Sequence, residues 1–177
     1  MPGSVFLRGE DVELRTVERE DLDFLREHRN DPDVRRWLPR VHPQNRVQVE
    51  EMFEERISGG DGVTLLVTPA DDDERLGCVS LFDVSPESGR ATLAAWLAPD
   101  AQGQGYGAAA TELLVGYGFD ERRLDRLEAG ALATNDASRA LLESVGFVEE
   151  GRLRNHYFVD GEHVDRVVYG LLREEWD

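Results

Sequence analysis

The sequence contains no lysine, so all 20 of its basic residues are arginines. Against them stand 37 aspartates and glutamates, which give a formal net charge of −17 at pH 7. A surface this acidic repels phosphate backbones, so the composition excludes a nucleic-acid-binding function. Arginine is always charged and is less strongly hydrated than lysine, which fits a salt-adapted or GC-rich genome.

The acidity itself has two interpretations. Acidic residues are spread along the whole chain, which favours a solvated surface suited to a halophilic cell with an acidic proteome. The alternative is electrostatic attraction of cationic substrates such as polyamines or basic peptides. The sequence leaves both interpretations open.

Cysteine and long apolar runs are also scarce. Cys78 is the single cysteine, which excludes an internal disulfide and a cysteine-rich metal site. The four histidines show no metal-binding spacing, so we expect no metal. No apolar run reaches about 18 residues and no secretory signal is evident, so we expect no membrane span. A cytoplasmic enzyme or binding protein is the class that remains.

The composition predicts a single globular domain over residues 1–177, because 40% of the residues are hydrophobic and no linker interrupts them. The periodicity predicts strands at 12–16, 63–68, 76–84, 91–97, 127–132, 152–159 and 163–172. It predicts helices at 18–28, 43–58, 108–117 and 137–144, with a short turn of helix at 34–38. A meander followed by alternating helices and strands indicates a mixed α/β sheet.

A glycine-rich loop follows the strand that ends at Leu97 and precedes a helix. It consists of Gln102, Gly103, Gln104, Gly105, Tyr106 and Gly107. Glycines let successive N–H groups point inward, and a helix N-terminus adds unpaired N–H groups and a positive dipole end. The loop therefore predicts a diphosphate site that needs no lysine, and the alternative is an ordinary flexible connection.

The same glycines also fit a dinucleotide-binding fingerprint. Gly103, Gly105 and Ala108 satisfy its loose form, and Glu128 lies near the expected position of a ribose-binding acid. Two features weaken this alternative. A proline-containing segment separates the strand from the first glycine, and Glu128 stands at the start of its strand rather than at the carboxyl end.

The loop, with its pattern Gln102-x-x-Gly105-x-Gly107, resembles the acetyl-CoA motif of the GNAT N-acetyltransferase superfamily. Residues 135–147 resemble the second motif of that family at the right spacing. Residues 28–38 and 151–176 resemble the branch that contains ribosomal-protein alanine N-acetyltransferases and related spermidine and small-amine acetyltransferases. The resemblance covers essentially the whole chain.

The resemblance implies a GNAT-type α/β (α+β) fold. In it, a twisted, mostly antiparallel sheet of about seven strands splays apart between the fourth and fifth, with helices on its flanks. Acetyl-CoA lies in the split as co-substrate. Leu97 and Ala98 are expected to contact the pantetheine arm through their backbone, and Asn135 through its side-chain amide, although Asn135 also fits a helix cap. The pyrophosphate is expected to lie on Gln102, Gly103, Gln104, Gly105, Tyr106, Gly107 and Ala108.

The implied reaction is direct attack of a primary amine on the thioester within a ternary complex. The amine belongs to a protein N-terminus or to a small amine or polyamine. Two positions depart from the family pattern, because Leu142 replaces a common tyrosine acid and Thr92 a common glutamate base. Ser138 becomes the candidate donor to the thiolate, and it also fits a local helix hydrogen bond. His156, supported by Tyr157, becomes the candidate base.

His28 and Trp37 lie on segments that shape the acceptor cleft in this family, and both also fit packing roles. The two departures leave an alternative function, an acyl-CoA-binding GNAT-fold protein with little or no catalysis. A monomer or a homodimer is expected, and the sequence does not identify the acceptor.

Overall fold

Alternating apolar residues build one eight-stranded sheet in the computed structural model, which describes residues 1–38 and 41–176. The strands are β1 (Val5–Arg8), β2 (Val12–Thr16), β3 (Val63–Pro69), β4 (Gly77–Ser85), β5 (Arg90–Leu97), β6 (Arg126–Leu132), β7 (Val148–Val159) and β8 (Glu162–Leu172). Their order across the sheet is β1-β2-β3-β4-β5-β6-β8-β7. Every neighbouring pair is antiparallel except β5 with β6.

Helices cover both faces of this sheet. They are α1 (Leu22–Asn30), α2 (Pro32–Arg35), α3 (Arg46–Met52), α4 (Tyr106–Asp120) and α5 (Asp136–Val145). The larger core lies between the sheet and α4 and α5, on the face we call the α4/α5 face. On the other face, which we call the α1/α3 face, a smaller core joins α1 and α3 to β3, β4 and β5. Among the described residues, this smaller core includes none from β6, β7 or β8.

The mixed sheet that the sequence predicts is confirmed, and three details differ. β1 was missed because a four-residue strand carries little periodicity. Since β1 adds one strand at the start, the split lies between the fifth and sixth strands, β5 and β6, rather than between the fourth and fifth. These are the same two chain segments that were expected to separate. Residues 43–58 were predicted as one helix, but Asn45 caps α3, and a π-helical turn over Phe53–Ile57 follows it. Asp160 and Gly161 form the turn between β7 and β8.

The two halves of the sheet separate at β5 and β6. In the described chain these strands pair only from Arg90–Thr92 to Arg126–Glu128. Beyond that point, β5 stays paired with β4 as far as Leu97, and β6 stays paired with β8 as far as Leu132. A cleft therefore opens toward the carboxyl ends of both strands, and the loop before α4 lies at its mouth.

A buried ion pair fixes α1 beside this cleft. The Asp21 side chain has no exposed surface; it accepts hydrogen bonds from Arg75 Nε at 2.6 Å and from the Glu18 N–H at 2.8 Å. Arg75 lies just before β4, so the pair joins the start of α1 to the sheet. Removing one partner of a buried pair leaves the other charge without compensation.

We therefore expect Asp21→Asn to lower the free energy of unfolding by about 2 to 3 kcal/mol, measured by urea denaturation. The matched control is Asp23→Asn, because Asp23 is exposed and pairs with Arg26 on the surface of α1. That change is expected to cost no more than about 0.5 kcal/mol. Equal losses from the two variants would contradict a structural role for the buried pair.

Candidate functional site

The open edge of β5 supplies backbone groups to the cleft. The Ala98 N–H donates to the Leu76 carbonyl at 2.8 Å, so Ala98 directs this group toward β4. Residues of an antiparallel strand alternate in the side to which they direct N–H and C=O groups. By this alternation Ala95 and Leu97 direct theirs into the cleft. The expectation that the Ala98 amide faces a ligand there is therefore corrected, because β4 already occupies it.

The loop between β5 and α4 presents a row of unpaired N–H groups. Among the described residues, no acceptor bonds the N–H groups of the six residues 103–108. Gly103 and Gly105 have φ values of +75° and +87°, and a Cβ on either would meet nothing within 4 Å. These conformations favour glycine and leave open space outside the backbone. The N-terminus of α4 adds the positive end of its dipole, so the loop favours an anion.

Two glutamine side chains hold this loop in place. Gln102 Nε2 donates to the Leu97 carbonyl at 3.0 Å, and Gln104 Nε2 donates to the Asp100 carbonyl at 2.9 Å. The Gln102 N–H is bonded to the Pro99 carbonyl, so the row of unpaired N–H groups begins at Gly103. Gln102 braces the loop, and its expected role at the pyrophosphate stays a prediction.

Gly107 brings α4 against α5. A Cβ at this position would lie 2.8 Å from Leu141 Cδ1, so only glycine permits this approach without a shift. The contact ties the start of α4 to the helix that carries Ser138. The structure thus brings together the two segments that the sequence singled out, the glycine-rich loop and residues 135–147.

Asn135 caps α5 at the carboxyl end of β6. Its Oδ1 accepts a hydrogen bond from the Ser138 N–H at 3.1 Å, as the capping interpretation predicted. In the described chain the Asn135 Nδ2 and the Ser138 hydroxyl make no hydrogen bond, so both remain available to a ligand. Leu142, which stands where a tyrosine acid is common, is 4% exposed and packs in the larger core.

Aromatic side chains line the β5 side of the cleft on the α1/α3 face. His28, Phe24 and Trp96 form a cluster of three rings: the His28 centroid lies 4.3 Å from that of Phe24 and 6.0 Å from that of Trp96, and Phe24 and Trp96 are 5.8 Å apart. The His28 Nδ1 contacts the Phe24 carbonyl. His28 is thus held by packing. Ala94 lies on the same face of β5 as Trp96 and is exposed.

The β7–β8 hairpin reaches back to the first half of the chain. Arg36, at the end of α2, bonds Asp160 in the hairpin turn at 2.8 Å and lies over the ring of Trp37. This contact joins the hairpin turn to the segment after α2. His156 is exposed on β7 with its ring 4.7 Å from that of Tyr157.

The strand order separates His156 from the cleft by two strand spacings. The register places Leu153, Arg166 and Leu132 on one line across β7, β8 and β6. The register shifts between Leu153 and Tyr157, and Tyr157 pairs with Val164, so His156 lies on β7 two strand spacings, about 10 Å, from β6. The structure does not bring His156 into contact with Ser138, and any proton transfer between cleft and imidazole needs water.

Other predicted features have structural roles. Glu128 accepts from Arg126 Nε at 3.0 Å and pairs with Arg90, at the end of β6 away from the loop, so it does not serve the glycine-rich loop as a dinucleotide-binding acid. Cys78 is 3% exposed, and burial raises the pKa of its thiol to about 12, which makes it unreactive. The part of the chain that the structure describes shows no cluster of three metal-binding side chains. No helix in those residues is long and apolar enough to cross a membrane.

Sequence reasoning missed Trp96, Ala94, Gly130 and Arg166. Strand alternation could have found the first two, since even-numbered residues of β5 face away from Leu93 and the larger core. Gly130 and Arg166 lie on neighbouring strands, and their contact depends on the register of β6 with β8. No local sequence pattern reveals that register.

Known proteins with similar sequences include acetyltransferases. Residues 11–148 match the family model described as an acetyltransferase (GNAT) domain. A proposed ribosomal N-acetyltransferase of Bacillus subtilis, YdaF, is 37% identical over 106 residues, and the alignment spans 60% of this chain and 58% of YdaF. Spermidine N(1)-acetyltransferase of Escherichia coli is 26% identical over 165 residues, which cover 93% of this chain and 88% of that protein.

A solved structure shares the fold over nearly its whole length. Spermidine N-acetyltransferase of Vibrio cholerae, solved with CoA and spermine, superposes with a TM-score of 0.88 and 23% identity, over 94% of this chain and 98% of that one. The family match agrees with the parted strands and with the anion-binding loop, and it excludes the dinucleotide alternative. This chain belongs to the GNAT family of acetyltransferases and uses acetyl-CoA as its co-substrate.

Proposed function

We propose that this protein transfers the acetyl group of acetyl-CoA to a primary amine by direct attack in a ternary complex. The acceptor amine belongs to a protein N-terminus or to a small amine. The observation that carries this proposal is the row of N–H groups at residues 103–108, unpaired among the described residues, beside a strand edge that is open at the Ala95 peptide groups and the Leu97 N–H. The alternative of acyl-CoA binding without catalysis is not adopted, since the chain belongs to a family of transferases.

Two parts of the cleft are proposed to bind different parts of acetyl-CoA. The N–H groups of residues 103–108 are proposed to hold the pyrophosphate, because a diphosphate satisfies several donors at a helix N-terminus at once. The Leu97 and Ala95 peptide groups are proposed to pair with the amides of the pantetheine arm, as a neighbouring strand would. The Asn135 Nδ2, on the β6 side of the cleft, is proposed as a further donor to acetyl-CoA.

The reaction needs three events that the chain must assist. An ammonium loses its proton, the amine nitrogen bonds to the thioester carbon and loses a second proton, and the carbon–sulfur bond breaks to release a thiolate that takes up a proton. A backbone N–H on the open edge of β5 is proposed to stabilise the tetrahedral oxyanion. The Ser138 hydroxyl is proposed to donate to the thiolate, since the Asn135 cap fixes the first turn of α5.

His156 is proposed to accept the ammonium proton through water, with the Tyr157 ring setting the imidazole orientation by their edge-on contact. We also propose that the acidic surface suits high ionic strength, where salt screens the repulsion among carboxylates. Functional assays therefore include a high-salt condition. A monomer or a homodimer stays our expectation for its assembly.

The glycine conformations make the anion-binding loop testable. Gly105→Ala places a Cβ on a residue with φ of +87°, which strains the turn and redirects the neighbouring N–H groups. We expect KM for acetyl-CoA to rise about tenfold, because a cost of ~1.4 kcal/mol in binding is a factor of ten. The readout is steady-state release of CoA thiol.

Gly116→Ala is the matched control for the loop variant. Gly116 lies inside α4, and a Cβ there would meet nothing within 4 Å. This change is expected to stabilise the helix by about 0.5 to 1 kcal/mol and to leave KM unchanged. A Gly105→Ala enzyme with unaltered KM for acetyl-CoA would remove the loop from the binding site.

Ser138→Ala tests the proposed donor to the thiolate. Loss of a donor that acts in the transition state lowers kcat, and we expect a fall of about tenfold with KM for acetyl-CoA changed less than about twofold. Asn135 still caps α5 in this variant, because the cap uses the residue 138 backbone N–H. An unchanged kcat would show that the hydroxyl has only a local role.

His156→Gln tests the proposed base through kcat/KM for the amine. If His156 accepts the ammonium proton, the variant loses about tenfold of kcat/KM, while KM for acetyl-CoA changes less than about twofold. His163→Gln is the control, since His163 is exposed on the same hairpin and its ring contacts that of Phe158. An unchanged kcat/KM in His156→Gln would assign the base elsewhere.

A further inference from the structure

Arg166 is an unusual cation in this acidic protein. Its Nε is buried without a hydrogen-bond partner, and in the described chain its guanidinium forms no ion pair. Two carboxylates share its face of the sheet, but Arg126 binds both Glu128 and Glu150. The free donors of Arg166 therefore lack a counter-charge that the protein itself could supply.

The guanidinium lies across Gly130. A Cβ at Gly130 would meet Arg166 Nε at 2.3 Å and Nη2 at 2.7 Å, so the glycine makes room for this side chain. The register pairs Gly130 with Val168 and Leu132 with Arg166, which places the guanidinium on the α1/α3 face. No residue of the smaller core covers β6 or β8 there, within the residues that the structure describes.

Gly130 and the guanidinium lie on the β6 side of the cleft. Thr92 pairs with Glu128 in the last register of β5 with β6, so two residues further along Gly130 stands across the split from Ala94. Ala94 is exposed and small, so its side chain leaves room beside the guanidinium that lies over Gly130. An acceptor amine that reaches the split from the α1/α3 face passes beside the Arg166 guanidinium.

We propose that Arg166 is a specificity-determining residue that binds a carboxylate of the acceptor. The preferred acceptor is then a primary amine with a carboxylate nearby, such as a peptide whose second residue is acidic, rather than a polyamine. Arginine pairs with carboxylates through two parallel N–H bonds, and a pair shielded from water is stronger than one on the surface. This inference rests on the proposed acetyl transfer and specifies its substrate class.

The net charge of −17 does not oppose such a substrate at contact range. Exposed charges are screened beyond about 8 Å at physiological ionic strength, whereas the guanidinium would touch its ligand. Long-range repulsion then slows the encounter, and the local pair sets the preference among amines that arrive. Raising the salt concentration should accordingly help acidic acceptors more than neutral ones.

The test uses two dipeptide amides that differ in one charge, alanyl-aspartyl amide and alanyl-asparaginyl amide, with spermidine as the cationic comparison. Binding to the CoA-loaded protein is measured by calorimetry, and acetylation is measured separately by thiol release from acetyl-CoA. For the wild type we expect about tenfold tighter binding and higher kcat/KM for the aspartyl peptide, the factor that ~1.4 kcal/mol of pairing supplies.

Three variants separate recognition from folding. Arg166→Gln is expected to lose the preference by weakening only the aspartyl peptide, and Gly130→Ala to lose it as well, because the added Cβ displaces the guanidinium while its charge stays. Arg56→Gln removes an exposed arginine far from the cleft and is expected to keep the preference. Thermal unfolding of each variant checks that it is folded. If Arg166→Gln does not fold, Gly130→Ala provides the test of the guanidinium instead.

Equal binding of the two peptides by the wild type, tighter binding of spermidine, or equal losses for both peptides in the variants would overturn the role of Arg166. Turnover without a carboxylate preference overturns this inference and leaves the proposed acetyl transfer intact. A preference in binding without turnover of any amine supports Arg166 and overturns the proposed transfer.

Discussion

The parting of β5 from β6 after three residue pairs is the constraint on which the rest of this structure depends. A strand edge inside a protein exposes N–H and C=O groups that must find partners. Here the first residues of both strands close the sheet, and the remaining residues diverge because each strand keeps its other neighbour. The divergence creates a cleft whose walls offer backbone hydrogen bonds, and an extended ligand with amide groups is the natural occupant.

The loop at the mouth of the cleft complements that edge. Its glycines hold conformations that leave six N–H groups without an acceptor among the described residues, and Gln102 and Gln104 fix the loop by bonding the carbonyls of Leu97 and Asp100. No lysine takes part, because backbone donors and the helix dipole carry the positive potential. In a chain with net charge −17, this local arrangement favours an anion despite the surrounding carboxylates.

Much of the architecture could be predicted from the sequence, and the errors have physical causes. Seven of the eight strands were placed within a few residues, since their apolar alternation is strong, while β1 is too short to show any. The glycine-rich loop and the Asn135 cap were found because their chemistry is local. The predicted role of the Ala98 amide failed, because strand register decides which neighbour receives each peptide group. His156, Tyr157 and Ser138 stay predictions.

The sequence by itself determined the family, the place of the glycine-rich loop, the absence of an internal disulfide and the two departures at Thr92 and Leu142. These depend on residue identity and short spacing, which the chain carries locally. Only the tertiary structure decided that Trp96 and His28 stack beside the cleft and that Arg166 lies unpaired over Gly130. Such contacts join residues distant in sequence or on separate strands, and their geometry is set by register and packing, which no local pattern encodes.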